Sequence, residues 1–303
     1  MPTDQIFNTL SQASRNQVLT SHSLSLECTF RLGGPAQYFA APPDTQSLAA
    51  LLAICRENNL PWFVLGGGSN VLFRDEGVPG LVISTKNMRQ IALIPGNLLS
   101  VSAGALNQDV TAWTETQGFS GFEWANGLPG SVGGGVYMNA RCYGKSFSDI
   151  IAEVEVLTDT GEFRTLSSAE CGFDYKASVF QTKPWVIVRA SLAVAPGDPE
   201  RIRALGMANR QDREQKGQFM LPSAGCVFKN DYASGNPAGR LIEACGLKGR
   251  QVGGVKIYER HANFIVNTGT GTTRDVLALM DEVIRTVWNQ RQIRLEPEVR
   301  VVP

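Results

Sequence analysis

The sequence predicts a protein of mixed helix and strand, and three observations carry that prediction. Short apolar segments of strand length alternate with amphipathic stretches at helical spacing along most of the chain. Two glycine runs interrupt that alternation, Val64-Leu65-Gly66-Gly67-Gly68-Ser69-Asn70 and Gly127-Leu128-Pro129-Gly130-Ser131-Val132-Gly133-Gly134-Gly135. A Pro196-Gly197-Asp198-Pro199 cluster then separates this glycine-rich region from a more charge-dense one.

In chain order, residues 1–23 read as an N-terminal extension with weak periodicity. Leu24–Ala41 reads as strand, Gly-Gly-Pro turn, strand. Apolar residues at 48, 51, 52 and 55 predict a helix over 45–58. Trp62–Leu65 and Leu81–Ile83 are buried strands, Leu98–Ala103 is another, and Leu106–Gln117 is a helix with Val110 and Trp113 inward. Ile151–Thr158 and Val186–Val194 continue the strands. Beyond the proline cluster come helices over Ile202–Gly217 and Ala238–Cys245, then two strands around Tyr258-Glu259-Arg260. The helix over 274–291 carries the clearest stripe, Val276, Leu277, Met280, Val283, Ile284 and Val287. Leu295–Val302 closes the chain as a strand.

Composition narrows the function classes. The chain has 303 residues, 43% hydrophobic and 18% charged, with Lys+Arg and Asp+Glu both at 28 and a formal net charge of zero. That balance argues against a general nucleic-acid binder. No apolar run reaches the roughly 20 residues of a membrane span. The polar start with Asp4 is not a secretory signal, so a cytoplasmic protein is expected. Six cysteines without a C-x-x-C pair and only two histidines make a metal site unexpected.

The glycine runs carry the chemistry. Glycine lacks Cβ, so its backbone can take positive φ and approach a ligand closely, and a run of amides can face one anionic or carbonyl-rich group. Singly, each run reads equally as an ordinary turn; two runs flanked by apolar strands favour a nucleotide cradle. A dinucleotide-binding fingerprint would need G-x-G-x-x-G opening a helix. Here Gly66-Gly67-Gly68 leads into Val71-Leu72-Phe73, so that fold is disfavoured. Other polar residues stand out. Lys176 sits in the apolar context Tyr175-Lys176-Ala177-Ser178-Val179-Phe180. Cys226 follows a glycine in Pro222-Ser223-Ala224-Gly225-Cys226-Val227-Phe228-Lys229-Asn230. Glu296 and Glu298 fall on one face if 295–302 is a strand. Each also has a structural reading: a solvated lysine, a small buried thiol, salt-bridge carboxylates.

In combination these segments resemble a known family. TFRLGGPA (29–36), VLGGGSNVLF (64–73), EWANGLPGSVGG (123–134), YMNA (137–140), PSAGCVFKN (222–230), HANFIVN (261–267) and LEPEV (295–299) occur in the order seen in UDP-N-acetylenolpyruvoylglucosamine reductases, and the length is similar to the shorter variant of that family. The resemblance implies a PCMH-type FAD-binding region of two α+β subdomains within 24–199 (about 24–88 and 89–199). It also implies a C-terminal α+β substrate-binding domain over 200–303, with the strand 295–303 returning to the active site. It assigns FAD binding to Leu65, Gly66, Gly67, Gly68, Ser69, Asn70, Asn126, Gly127, Pro129, Gly130, Ser131, Gly133, Gly134, Asn139 and Ala140. It assigns catalysis to Lys176, Cys226 and Glu298, and substrate binding to Tyr175, Lys216, Lys229 and Asn230.

The implied reaction passes a hydride from NADPH, the co-substrate, to the flavin, and from the flavin to C3 of an enolpyruvyl group, with protonation at C2. The product belongs to peptidoglycan precursor synthesis, and the enzyme is expected to be a monomer acting on a sugar nucleotide. The chain departs from the family's usual pattern at several positions. Lys176 stands for Arg, exchanging a fork for a point charge; Cys226 stands for Ser. Arg141-Cys142 stands for small residues, Gly217-Gln218 for Gln-Pro, and Asp231 for Pro. Two other readings remain open here: a flavoprotein oxidase with another substrate, and an FAD- or sugar-nucleotide-binding paralogue with lost or altered turnover.

Overall fold

The computed structural model describes residues 3–15, 17–231, 235 and 237–302. In chain order these form α1 (Thr3–Ala13), β1 (Val18–Ser23), β2 (Pro35–Ala40), α2 (Thr45–Glu57), β3 (Trp62–Leu65), β4 (Val71–Phe73) and β5 (Val78–Ser84). There follow β6 (Ile91–Ile94), β7 (Leu98–Ser102), α3 (Asn107–Gln117), β8 (Phe119–Ser120), α4 (Val132–Tyr137), β9 (Arg141–Cys142) and β10 (Lys145–Ser146). Next come β11 (Ile151–Leu157), β12 (Phe163–Ser167), β13 (Val186–Ala193), β14 (Ala195–Pro196) and α5 (Pro199–Gln215). The remainder is β15 (Ser223–Cys226), α6 (Ala238–Ala244), β16 (Gln251–Val252), β17 (Val255–Ile257), β18 (Phe264–Asn267), α7 (Thr273–Arg291) and β19 (Arg300–Val302). The mixture of helix and strand is that of the α+β class implied by the resemblance.

The chain forms two compact units that it enters more than once. The first comprises residues 1–20, 37–67 and 79–212; the second comprises 21–36, 68–78 and 213–303. The Pro196-Gly197-Asp198-Pro199 cluster is not a free linker. Ala195 and Pro196 pair with β8, the Gly197 amide donates to the Gly118 carbonyl at 2.9 Å, and Pro199 opens α5. Proline suits that place because its missing N–H would be unpaired there anyway. The contact boundary falls later, between residues 212 and 213.

The first unit holds two cores. One lies under the sheet β1-β2-β5-β3, whose β3 and β5 run parallel, Trp62 opposite Leu81. Leu48, Leu51, Leu52 and Cys55 of α2 are buried there, at the predicted spacing. Asp44 caps this helix by accepting the Ser47 amide at 2.8 Å, which satisfies one otherwise orphan donor. The N-terminal residues are not a loose extension: Leu10 of α1 is fully buried in the same core, with Ile6, Phe7 and Ala13 packed beside it. The other core lies on the antiparallel sheet β12-β11-β13-β7-β6. Phe122, Trp124 and Phe147 meet edge to face within it, at centroid distances of 5.5 to 5.8 Å.

The second unit is built on the antiparallel sheet β15-β18-β17-β16 and the short parallel pair β4–β19. Helix α7 buries Val276, Leu279, Met280, Val283 and Val287, so Leu279 joins the stripe and Leu277 and Ile284 lie at its margins. Full burial of each such side chain is worth about 1.5–3 kcal/mol. Thr272 and Asp275 form a capping box, and the carboxylate of Asp75 accepts the amides of Thr273 and Arg274 at 2.8 and 3.0 Å. The first of the two strands expected within 24–41 does not form. Leu24–Leu26 is a single helical turn, Arg31 (φ 55°) and Gly33 (φ 120°) then bend the backbone, and a Cβ on Gly33 would lie 2.6 Å from the Phe73 Cβ.

His261 of this unit stacks on Phe264 at a centroid distance of 4.4 Å, and its Nδ1 is buried without a hydrogen-bond partner. Burial, with Lys216 and Lys248 adding to it, holds the imidazole below its usual 6.5. The unfolded chain takes up this proton near pH 6.5 and the folded chain only at lower pH. The neutral side chain therefore contributes stability above that range, and the contribution is lost as pH falls through it. His261→Phe is predicted to lose less stability than the wild type between pH 7 and pH 5 (about the span of imidazole titration), as read from urea midpoints. Parallel losses would contradict this.

Candidate active site

The first glycine run begins where β3 ends, and the second lies against it. A Cβ on Gly67 would stand 2.5 Å from the Gly130 Cα and 2.7 Å from the Ser131 amide. A Cβ on Gly66 would stand 2.5 Å from Ser131 Oγ. These distances are below any real Cβ contact, so glycine lets the loops touch backbone to backbone at 67 and leaves room for the Ser131 side chain at 66. Ser131 Oγ bridges them, accepting the Gly67 amide at 3.2 Å and the Gly134 amide at 3.4 Å. Gly127 (φ 75°) and Gly130 (φ 105°) supply the left-handed turns.

Not every glycine faces open space. The Gly133 amide donates to the Ala103 carbonyl at 2.8 Å, and a Cβ on it would lie 2.7 Å from the Ala103 Cβ. A Cβ on Gly135 would enter the Phe147 ring at 2.3 Å. These two pack α4 into the core. Gly134 differs: a Cβ there would meet only Ser131 Oγ, at 3.7 Å. Asn107, which sequence reading missed, is 1% exposed with its Oδ1 buried and without a hydrogen-bond partner, and its amide donates to the Gly130 carbonyl at 3.0 Å. Close backbone approach, an open face at Gly134 and a buried acceptor beside Gly130 fit a flavin nucleotide.

Asn139 is also committed within the protein. Its Nδ2 donates to the Asp174 carbonyl at 2.9 Å, and its Oδ1 accepts the Ser148 amide at 3.0 Å. The first bond holds a tight turn. Asp174 and Ala177 exchange backbone hydrogen bonds at 3.1 and 3.2 Å, leaving Tyr175-Lys176 as the two-residue tip. Lys176 there takes φ 55°, a left-handed conformation unusual for a side chain of this kind. Gln181 Nε2 donates to the Lys176 and Tyr137 carbonyls, each at 3.0 Å, and so ties the turn to the end of α4.

The other expected catalytic residues lie in the second unit. Ser223 opposes Val266 and Cys226 opposes Phe264, so β15 carries one residue more than β18 over this span. This bulge, with Gly225 at φ 75°, re-aims Cys226, which is half-buried against Tyr258, Phe264 and Val266. The terminal segment runs beside it. The Glu298 amide donates to the Val227 carbonyl at 2.7 Å, the Lys229 amide to the Glu296 carbonyl at 2.8 Å, and Phe228 bridges Pro297. Residues 295–299 are not the expected strand, because Pro297 has no N–H to continue a ladder, and regular alternation therefore does not place Glu296 and Glu298. Glu296 pairs with Lys229 at 2.5 Å. Asn70, at the end of the first glycine run, donates from Nδ2 to the Glu298 carbonyl at 3.2 Å. Asn230 accepts the Ala238 amide at 3.0 Å. Gly68 sits against the Glu27 carbonyl, 2.2 Å from its would-be Cβ.

Burial separates Cys226 from three other thiols. It pushes Cys55 up to about 12 and Cys171 up to about 11, and it raises Cys28 as well. Burial thus disfavours the thiolate, the nucleophilic form, in all three.

A family model described as an FAD binding domain matches residues 36–167, and one described as the UDP-N-acetylenolpyruvoylglucosamine reductase C-terminal domain matches residues 215–302. With the glycine cradle, the first match defines an FAD-dependent oxidoreductase. The UDP-N-acetylenolpyruvoylglucosamine reductase of Clostridium beijerinckii is 37% identical over 296 residues, covering 98% of this chain and 96% of its own. That of a Synechococcus strain is 38% identical over 275 residues, covering 90% and 88%. The crystal structure of the Thermus caldophilus reductase superposes with a TM-score of 0.79 at 35% identity, covering 95% of this chain and 98% of its own. The chain belongs to the UDP-N-acetylenolpyruvoylglucosamine reductase family.

Gly67→Ala tests the cradle. The methyl would meet backbone on both sides of the Gly130–Ser131 bond, where nothing can rotate aside. The variant is predicted to purify folded by circular dichroism but with flavin occupancy at least about tenfold lower, equivalent to 1.4 kcal/mol or more, measured by the ratio of the visible flavin band to protein absorbance. Undiminished occupancy would contradict the contact.

Proposed function

We propose that this chain reduces UDP-N-acetylglucosamine enolpyruvate to UDP-N-acetylmuramate with NADPH as electron donor, a step in making peptidoglycan precursors. The observation that carries this reading is the ribbon in which the Glu298 amide meets the Val227 carbonyl at 2.7 Å, because it runs a carboxylate-bearing segment beside the thiol-bearing one. FAD, when bound, would supply the hydride-transfer chemistry between NADPH and the enolpyruvyl double bond.

The chain's own residues position and protonate. Gly66, Gly67, Gly130, Ser131 and Gly134 hold the cofactor by backbone approach, with Asn107 as a buried acceptor. Leu65, Gly68, Ser69, Asn70, Asn126, Gly127, Pro129, Gly133, Asn139 and Ala140 support it, Gly133 and Asn139 through the protein contacts already described. Lys176, held in a strained turn, sets its ammonium at the substrate carboxylate, where charge accumulates as hydride arrives. Cys226 gives the proton to C2, and Glu298 lies on the adjoining segment. Tyr175, Lys216, Lys229 and Asn230 grip the sugar nucleotide, with Lys229 shared between it and Glu296. Cofactor binding falls within 24–199, and the substrate is held by residues of 200–303 together with Tyr175 and Lys176.

Among the described residues no helix is long and apolar enough to cross a membrane. The reading adds a cytoplasmic monomer acting on a soluble nucleotide sugar, without nucleic-acid or membrane partners.

Substrate-dependent NADPH consumption tests the function, and substitutions at 226 test the proton donor. A positioned general acid contributes about 10²–10⁴-fold, so Cys226→Ala is predicted to slow turnover by that range, and Cys226→Ser to retain most of it. A thiol ionises within the working pH range and a serine hydroxyl does not. The wild type is therefore predicted to decline toward alkaline pH in a limb that Cys226→Ser lacks. Full activity in Cys226→Ala would remove Cys226 from the mechanism, and NADPH consumption indifferent to the enolpyruvyl substrate would refute the function.

A further inference from the structure

Arg141 sits on a hairpin of its own beside the Tyr175-Lys176 turn. β9 and β10 pair with Arg141 opposite Ser146 and Cys142 opposite Lys145. Tyr143 (φ 51°) and Gly144 (φ 76°) make the two-residue turn, and positive φ at both positions suits such a hairpin. The Tyr143 hydroxyl lies 2.8 Å from the Asn209 carbonyl and 2.9 Å from Asp212 Oδ2, which pins the turn to α5. At the other end, Ser146 and Asp149 form a capping box. The hairpin is thus fixed at its tip and at its base.

From this hairpin the Arg141 guanidinium lies over the Tyr175 ring, 5.5 Å from its centroid. Two residues before Arg141, Asn139 donates to the Asp174 carbonyl at 2.9 Å, so one side chain ties both turns together. Stacking of this kind engages the face of a guanidinium. The N–H donors project from its edge, in the plane where a carboxylate or phosphate docks with two parallel bonds. A lysine on the adjoining residue 176 supplies a second, point-like cation. An exposed arginine stacked on an aromatic platform, with a lysine as the next residue of the same tight turn, is an arrangement that recognises an oxyanion.

We infer that Arg141 is a further substrate-binding residue: its guanidinium, oriented by Tyr175, grips an oxyanion of the sugar nucleotide alongside Lys176. This rests on the reading of Tyr175 and Lys176 as substrate-site residues given above. The oxyanion is the enolpyruvyl carboxylate or the diphosphate.

The test is equilibrium titration of FAD-loaded wild type, Arg141→Ala and Arg141→Lys. The two probes are UDP-N-acetylglucosamine enolpyruvate and UDP-N-acetylglucosamine, which has the diphosphate but no carboxylate. Arg141→Ala is expected to weaken binding of the enolpyruvyl nucleotide by about 10- to 100-fold, the scale of charged hydrogen bonds. Arg141→Lys is expected to fall between it and the wild type. Loss confined to the enolpyruvyl nucleotide would assign Arg141 to the carboxylate, and equal loss for both nucleotides would assign it to the diphosphate. Unchanged affinity for both in Arg141→Ala, with wild type binding normally, would overturn this inference and leave the proposed function standing. Wild type that binds neither nucleotide would overturn both.

Discussion

The structure depends on one close approach, the backbone of Gly67 laid against that of Gly130 and Ser131. No other residue type at 67 permits it, since a Cβ would stand 2.5 Å from the Gly130 Cα. The groups around the contact keep the two loops together with only the short Ser131 side chain bridging them. Ser131 supplies a polar bridge, and the Asn107 backbone amide donates to the Gly130 carbonyl at 3.0 Å. The Val132 amide donates to the Ala105 carbonyl at 2.9 Å and so anchors the second run to the end of β7. Two neutral hydrogen bonds and a few contacts are worth only about 1 kcal/mol each. The loops hold their shape mainly because Gly133 and Gly135 bury α4 tightly against Ala103 and Phe147.

The same glycine run continues into a different task. After Gly67 it reaches Gly68, packed on the Glu27 carbonyl, and then Asn70, which holds the Glu298 carbonyl. β4 follows at once and pairs in parallel with β19, Val71 opposite Arg300. Seven residues of sequence therefore shape the glycine loop at one end and hold the segment bearing Glu298 at the other. Asn139 plays a comparable double part, closing α4 and clamping the turn that carries Lys176. Such residues act through backbone positions, so their substitution would move several functional groups at once.

Some of this was legible in the sequence, and the reasons differ by element. Helices α2 and α7 announce themselves because their buried faces repeat at helical spacing. The two glycine runs stand out because close backbone approach demands a residue that composition reveals directly. Glu296 as the partner of a nearby lysine was also readable, and Lys229 is that partner. What failed had tertiary causes. Helix α1 has only Ile6, Phe7, Leu10 and Ala13 to show, too few for a stripe, yet Leu10 is fully buried. The alternation expected at 295–302 ignored Pro297, which interrupts the ladder so that only Arg300–Val302 is strand. Asn107 gave no signal at all. An asparagine opening a helix reads as a cap, and its significance lies in a hydrogen bond to Gly130, a contact that local pattern does not encode.

The central claim is that the glycine cradle holds a flavin that links NADPH to an enolpyruvyl sugar nucleotide. The most direct measurement is an anaerobic absorbance experiment in two steps on the purified wild type, with NADPH added first and UDP-N-acetylglucosamine enolpyruvate second. The account predicts that NADPH bleaches the visible flavin band and that the nucleotide restores it. A protein with no flavin band after supply of FAD, or a bleached band that the nucleotide does not restore, would contradict it.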